Sequence, residues 1–309
     1  MTSSSSRVIV VGSLNADHRV HVAHLPEPGE TILGSDVAVG AGGKGANQAV
    51  AAARAGAAAA IIGAIGDDRD GALVRRAITQ EHVGVGGVRV IPEAPTGRAM
   101  ITVDAKGENT IVVSAGANSL LTEGDINAGL RDLSPGDLVL LQLETPEPLV
   151  CYGARTASAA GAAVVLNAAP VPASIDGLFD HVDVLVVNDH ELTSVSNLLC
   201  DRTDASRGDN MELVAKVSGA RVVCTAGADG AFITHDGGIE HVEAYPVKAV
   251  DTTAAGDTFI GYLAAGLARD PADVIGATKT AVRAAGIAVT RAGAIDSIPF
   301  VDELTKEYP

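Results

Sequence analysis

Tryptophan is absent from this 309-residue chain, and tyrosine and phenylalanine contribute only four residues each. The core therefore has to be built from Ala, Val, Ile and Leu. The same scarcity removes the aromatic platforms on which single-stranded nucleic acid stacks. Basic residues are few as well: 22 Lys and Arg stand against 38 Asp and Glu, a formal net charge of −16. Neutralising nucleic-acid phosphates takes clustered positive charge, so no nucleic-acid partner is expected. An anionic ligand would have to be held locally, by backbone amides, a metal or one well-placed cation. The three cysteines, Cys151, Cys200 and Cys224, have no paired spacing. They imply neither a disulfide framework nor a zinc site and fit a reducing compartment. The early apolar run VIVVG is far too short to span a membrane, and MTSSSS before it has no basic segment. The expectation is a soluble cytoplasmic protein, not membrane-bound, with a frayed N-terminus.

What is present is a repeating alternation. RVIVVG (7–12), AAIIGAIG (59–66), DLVLLQLE (137–144), AAVVLN (162–167), DVLVVN (183–188) and ARVVCTAG (220–227) are continuous apolar runs. Continuous rather than alternating hydrophobicity marks strands of a parallel sheet covered on both faces. Between them NQAVAAARAG, DGALVRRAITQEH, TEGDINAGLRDL and EPLVCYGARTASAAG carry helical patterning. The pattern predicts an α/β fold with a doubly wound, mostly parallel sheet flanked by helices. Two stretches, 14–40 and 96–114, are more polar and strand-like, with DAKGEN as a hairpin turn in the second. They predict a small β-sheet lid on a single domain spanning 1–309. In such folds ligands bind beyond the carboxyl ends of the strands. Glu144, Asn167, Asn188 and the segment TAGADG all fall there.

Two glycine-rich stretches carry most of the chemical information. GAGGKGANQ (40–48) satisfies G-x-G-x-x-G, but a dinucleotide fingerprint should follow the first strand directly, and here that strand runs into SLNAD. A phosphate-binding P-loop also fails, because Lys44 is followed by Gly45 and the required upstream glycine is Ala38. What remains is close backbone approach at Gly42 and Gly43, with Lys44 and Asn47 entering a helix, an arrangement suited to reading several sugar hydroxyls. In AVDTTAAGDTF (249–259), Ala254, Ala255 and Gly256 precede an apolar helix, so their amides can point out of its N-terminus at an anion. Asp257 in that first turn could be a mere dipole partner, worth about 0.3–1 kcal/mol. The stronger reading is a general base that takes a proton from an alcohol attacking a γ-phosphorus. The amides at 254–257 would then stabilise the charge that develops.

GGKGANQAVAAARAG and DTTAAGDTFIGYLAAGLA together resemble the two signatures of the ribokinase-like (PfkB) carbohydrate kinases, and GSLNAD, LQLE and NDHE fall where that family has further site motifs. The resemblance runs from about residue 7 to 300. It implies an ATP-dependent sugar kinase acting on a primary hydroxyl, with D-ribose to D-ribose 5-phosphate the expected reaction and fructose, deoxyribose or a nucleoside as alternatives. It also implies Asn15, Asp17, Gly43, Lys44, Asn47 and Glu144 as sugar contacts, Asp257 as base, and Ala254, Ala255 and Gly256 as the anion hole. Asn188 and Glu191 match an N-x-x-E element that organises Mg²⁺ and phosphate through water. Thr225, Gly227 and Gly230 match the ATP-binding loop. Asp251, Thr253, Ala288, Arg291, Gly293 and Ser297 match positions binding a monovalent cation (K⁺), mostly through backbone carbonyls. Lid strands of this family often clasp two subunits, implying a homodimer.

Some residues stay outside that scheme. Arg98, where an apolar residue is expected, either touches substrate or faces water, and His190 sits beside the N-x-x-E element. A metal site at His18, His21 and His24 is disfavoured, because in a strand His21 faces away from the other two. A non-catalytic sugar or nucleotide sensor on the same scaffold is a competing reading.

Overall fold

The computed structural model describes residues 6–200 and 205–305; residues 1–5, on which the expectation of a frayed start falls, lie outside them. The chain begins β1 (Arg7–Val11), β2 (Asn15–His21), β3 (Ala38–Gly42), α1 (Lys44–Arg54), β4 (Ala58–Gly66), α2 (Arg69–Gln80) and β5 (Gly84–Ile91). Next come β6 (Gly97–Val103), β7 (Asn109–Ser114), α3 (Glu123–Gly129), β8 (Leu138–Gln142), α4 (Glu147–Ala159) and β9 (Ala163–Asn167). The remainder is β10 (Val184–Asn188), α5 (Asp189–Leu199), α6 (Arg207–Ser218), β11 (Arg221–Thr225), β12 (Ala231–His235), β13 (Gly238–Val242), α7 (Ala255–Arg269) and α8 (Val274–Ala288).

Nine strands form the large sheet in the order β13-β12-β11-β10-β9-β8-β1-β4-β5. It is parallel from β11 to β5, and β12 and β13 add an antiparallel edge. The expected doubly wound sheet is therefore present. Its strands are apolar on both faces: in β1, Val8 and Val10 join the core on one side, and Ile9 and Val11 the core on the other. Burying one such side chain contributes roughly 1.5–3 kcal/mol. The order reverses between β1 and β8, and at such a switch point the loops on either side part to leave a crevice.

The four strands of the two polar excursions form a separate sheet, β3-β2-β6-β7, with β2 and β6 parallel and the other pairs antiparallel. The DAKGEN hairpin closes as expected, with the Gly107 amide donating to the Asp104 carbonyl. Residues 22–37, rich in Pro, Gly and charge, form no strand. No helix among the described residues is long and apolar enough to cross a membrane.

Candidate active site

The first stretch after β1 meets the start of α1 at very short range. A side chain on Gly45 would lie 2.6 Å from the backbone of Gly12 and Ser13, and Gly43 has φ +91° with the Asn15 amide and Ser13 carbonyl at its door. These contacts explain why Gly43 and Gly45 are needed in this stretch, whereas a side chain on Gly40 would meet open space. Gly43 stands between the end of β3 at Gly42 and the helix, which it caps, so α1 begins at Lys44, three residues earlier than the patterning suggests. GAGGKG thus follows a strand of the small sheet and not β1, which removes the dinucleotide-binding alternative.

Across the switch point, the Ser13 hydroxyl donates to Glu144 Oε2 at 2.5 Å, and the Lys44 amide donates to the same oxygen at 3.2 Å. The Glu144 carboxylate is therefore held by both rims of the crevice. Asn15 is buried, and its Oδ1 accepts from Asn118 Nδ2 at 2.8 Å; Asn118 also brackets Leu14 through that residue's amide and carbonyl. Asp17 sits against Gly42, where a Cβ would collide with its carboxylate. Burial pushes the Asp17 carboxyl up to about 6; Arg19 opposes that rise, and nearby Glu144 and Asp257 reinforce it. Burial acts to depress Lys44, yet the fields of Asp257, Glu144 and Glu191 outweigh it and raise its pKa above the ordinary lysine value. The ammonium thus stays charged among these acids.

The turn expected to bind an anion leads into the first residues of α7. Ala254 takes the left-handed conformation at φ +58°, costly for a residue with a Cβ, and caps α7. The Ala255 amide donates back to Thr252 O at 3.2 Å, but no protein acceptor among the described residues faces the amides of Gly256 or Asp257. Open space lies beyond Gly256. Asp257, two residues into the helix, accepts from Asn47 Nδ2 on Oδ2 and from Gln48 Nε2 on Oδ1, both at 2.9 Å.

On the other side of that turn is a cavity of about 760 Å³, lined among others by Thr225, Gly227, Gly230, Tyr245, Ala255 and Gly256. The candidate nucleotide loop and the candidate anion hole thus open onto one space. Gly230 is forced by close passage of residues 242–244, where a side chain would strike the Val242 carbonyl. A second cavity of about 790 Å³ lies at the amino ends of β8 to β11, at Asp137, Asp183 and Arg221. It holds none of the candidate residues and is at the wrong end of a parallel sheet for a ligand site.

Asn188 and Glu191 form a capping box at the start of α5: the Glu191 amide donates to Asn188 Oδ1 at 2.8 Å and the Asn188 amide to Glu191 Oε2 at 2.9 Å. Their spacing therefore has a local structural cause as well. Burial raises the Glu191 carboxyl above the usual range, against the hydrogen bond from Asn188 and the charge on Lys44. The Asp251 carboxylate accepts from the amide and hydroxyl of Thr253 and from the Gly293 amide, tying the turn before α7 to the segment after α8. Burial acts to raise its pKa, but these bonds hold it below the ordinary value. Ala288, Arg291, Gly293 and Ser297 lie on that second segment; Ser297 is buried and Arg291 pairs with Glu303.

Arg98 does not project freely into water. Its Nε binds Asp70 Oδ2 at 2.5 Å, and His18 Nε2 meets the same oxygen at 3.2 Å, so strands β2 and β6 are pinned to the first turn of α2. His24 pairs instead with Glu30, His21 is exposed, and no cluster of His, Cys, Asp or Glu suited to a metal occurs among the described residues. His190 is exposed.

Residues 5–300 match the pfkB family carbohydrate kinase model. The chain belongs to the pfkB family of carbohydrate kinases. As a member it is a phosphotransferase with an alcohol acceptor, and its α/β scaffold is the one its relatives share. It is 37% identical to the ribokinase of Haemophilus influenzae, with 95% of each chain covered. It is also 33% identical to a deoxyribokinase of Salmonella typhimurium, with 97% of each covered. The solved structure of Arabidopsis thaliana ribokinase complexed with ribose and ATP superposes with a TM-score of 0.86 at 30% identity, covering 97% of this chain and 98% of that one. Within this kinase, Ser13, Gln48, Asn118 and Asn167 are the polar residues around the site that the motifs did not single out. Their strand-end and helix-start positions were the available signal.

Proposed function

We propose that this kinase transfers the γ-phosphoryl group of ATP to the primary hydroxyl of D-ribose, giving D-ribose 5-phosphate and ADP. One observation carries the reading: in the first turn of α7 the amides of Gly256 and Asp257 meet no protein acceptor among the described residues, Gly256 lines a nucleotide-sized cavity, and the Asp257 carboxylate is held on the side of Asn47 and Gln48. Asn15, Asp17, Gly43, Lys44, Asn47 and Glu144 bind the sugar hydroxyls. Asp257 takes the proton of the primary hydroxyl as its oxygen bonds to the γ-phosphorus and the bond to the β-phosphate oxygen breaks. The amides of residues 254–257, with Lys44, stabilise charge spreading over the transferring group.

Thr225, Gly227 and Gly230 hold the nucleotide, and Tyr245 lines its cavity. The donor set fits Mg²⁺ bound chiefly by phosphates and water, since of the two carboxylates in the N-x-x-E element Glu191 already accepts an amide and Asp189 is paired with Arg207. Bound there, the ion would neutralise phosphate charge. The Asp251 carboxylate and the carbonyls of Thr253, Ala288, Arg291 and Gly293, with Ser297, offer a mostly neutral oxygen set suited to K⁺, which would brace the anion-binding turn.

The chain acts as a single kinase domain, with 14–40 and 96–114 as a lid that excludes competing water. On that small sheet exposed Val39, Met100 and Val112 share one face, and exposed Ile111 and Val113 lie on the other face of the edge strand β7; this open apolar area favours a homodimer clasped through the lids. Three free cysteines fit a cytoplasmic location.

The deoxyribokinase relative supports deoxyribose as a second reading. A panel of ribose, deoxyribose, fructose and nucleosides, assayed for ADP release with and without K⁺, tests the assignment. The expected result is the highest kcat/KM for ribose and activation by K⁺. A higher value for another acceptor overturns the ribose assignment, and sugar binding without turnover would favour a sensor.

A further inference from the structure

A carboxylate that serves as a base has to present one lone pair to the alcohol and keep presenting it through the reaction. The Asp257 side chain can turn about Cα–Cβ and Cβ–Cγ, and both rotations swing its oxygens. Two neighbours on α1 oppose that swing from different directions: Asn47 donates to Oδ2 and Gln48 to Oδ1, each at 2.9 Å. Asn47 stands among the sugar-contacting positions, whereas Gln48 is fully buried and cannot reach a ligand.

Gln48 is fixed in turn. Its Nε2 also donates to Asn167 Oδ1 at 3.2 Å, and Asn167 Nδ2 donates to the Val186 carbonyl at 3.3 Å. The chain of bonds runs from the backbone of β10 through Asn167 and Gln48 to the carboxylate. Both hydrogens of the Gln48 amide are committed, and its Oε1 meets no hydrogen-bond partner among the described residues, so the nitrogen is turned to the acid and the oxygen away. The strand end accounts for Asn167: Val165 packs on the face of the sheet that α1 and α7 cover, and Asn167, two residues on, points the same way. The helix crossing accounts for the reach. Gly261, one turn after Asp257, lets α7 lie against the Gln48 carbonyl and the Ala51 side chain.

We propose that Gln48, held by Asn167, is a positioning residue that locks the Asp257 carboxylate in its proton-accepting orientation. This rests on the kinase reading above. Gln48 contacts neither sugar nor nucleotide, so its loss acts on the rate of the chemical step and spares substrate binding.

The test is Gln48→Met, close in shape and without the amide, measured alone and combined with Asp257→Asn. Expected is a fall in kcat of about 10- to 100-fold, as small misplacements of reacting groups produce, with KM for ribose and ATP within about threefold of the parent. Asn167→Leu should give a smaller fall of the same kind. In the Asp257→Asn background Gln48→Met should lower the residual kcat no further, because groups that act as a unit are not additive. Unchanged kcat in Gln48→Met, or the same fold-loss with and without the Asp257 carboxylate, overturns the proposal. Urea unfolding of the same four proteins reads the contact itself without turnover. Additive stabilities there would also overturn it. If the parent turned over no sugar, the kinase reading would fail while the unfolding cycle still reported on the Gln48–Asp257 pair.

Discussion

At Asp17 the needs of folding and binding diverge. The carboxyl is half-buried; its desolvation, reinforced by the nearby charges of Glu144 and Asp257, holds its folded value near 6. Between the ordinary carboxylate range and about 6, the folded chain keeps a proton there that the unfolded chain has released. Stability contributed by this group therefore falls as pH rises through that window, and above it the folded state carries a buried charge. Asp17→Asn should make the protein more stable at pH 7.5, by up to roughly 3 kcal/mol, and the gain should vanish near pH 4. Ribose affinity should drop in the same variant, and in the parent it should weaken as pH falls below about 6. Urea unfolding at the two pH values, paired with ribose titration, checks both. No gain at pH 7.5 would mean that this acid is better solvated than its surroundings indicate. The sequence offered Asp17 only through its family motif. That it is the strained member of the sugar cluster depends on Gly42 and Glu144 closing over it, a long-range fact that no local pattern carries.

Among the elements, the crossing of α1 and α7 sets the site. A Cβ on Gly261 would stand 2.6 Å from the Gln48 carbonyl oxygen and 2.8 Å from the Ala52 amide nitrogen, and closer still to the Ala51 side chain. Gly261→Ala should push the helices apart, costing about 1–3 kcal/mol by overpacking. It should also lower kcat more than it raises either KM, because Asp257 and its donors lie on opposite sides of the crossing. Thermal unfolding together with initial rates measures the two effects. The strands at the centre of the sheet were legible because burial on both faces leaves continuous apolar runs. β12 and β13, at the antiparallel edge, were not read, since their partly exposed residues lack that signal. α3 stops at Gly129, short of the patterned stretch to 133, where Gly129 itself allows the backbone to pass Ile62. The role of Arg98 was illegible for a similar reason: its partner Asp70 lies on α2, 28 residues away.

For the whole molecule, the strong negative charge and the placement of the small sheet set two expectations. With so few basic residues, the proposed binding of the phosphates by helix-end amides predicts an affinity for ATP that depends only weakly on salt. Self-association should run through the exposed strands of the lid. Val112, 69% exposed, is the most open apolar residue of the edge strand β7. Val112→Lys is expected to shift a parent dimer toward monomer in sedimentation equilibrium without unfolding the large sheet; an unchanged mass would place the contact elsewhere. The fold, the order of the motifs and the candidate residues at the strand ends were readable along the chain. The switch point between β1 and β8 was not, because it depends on which strands become neighbours.

All of these scales meet at one side chain, and the most direct test replaces it conservatively. Asp257→Asn keeps the size of the group and removes its capacity to accept the proton. Ribose-dependent ADP release should fall by about 10²- to 10⁴-fold, while ADP binding measured by calorimetry stays within a few-fold of the parent. Near-normal turnover in that variant would contradict the account.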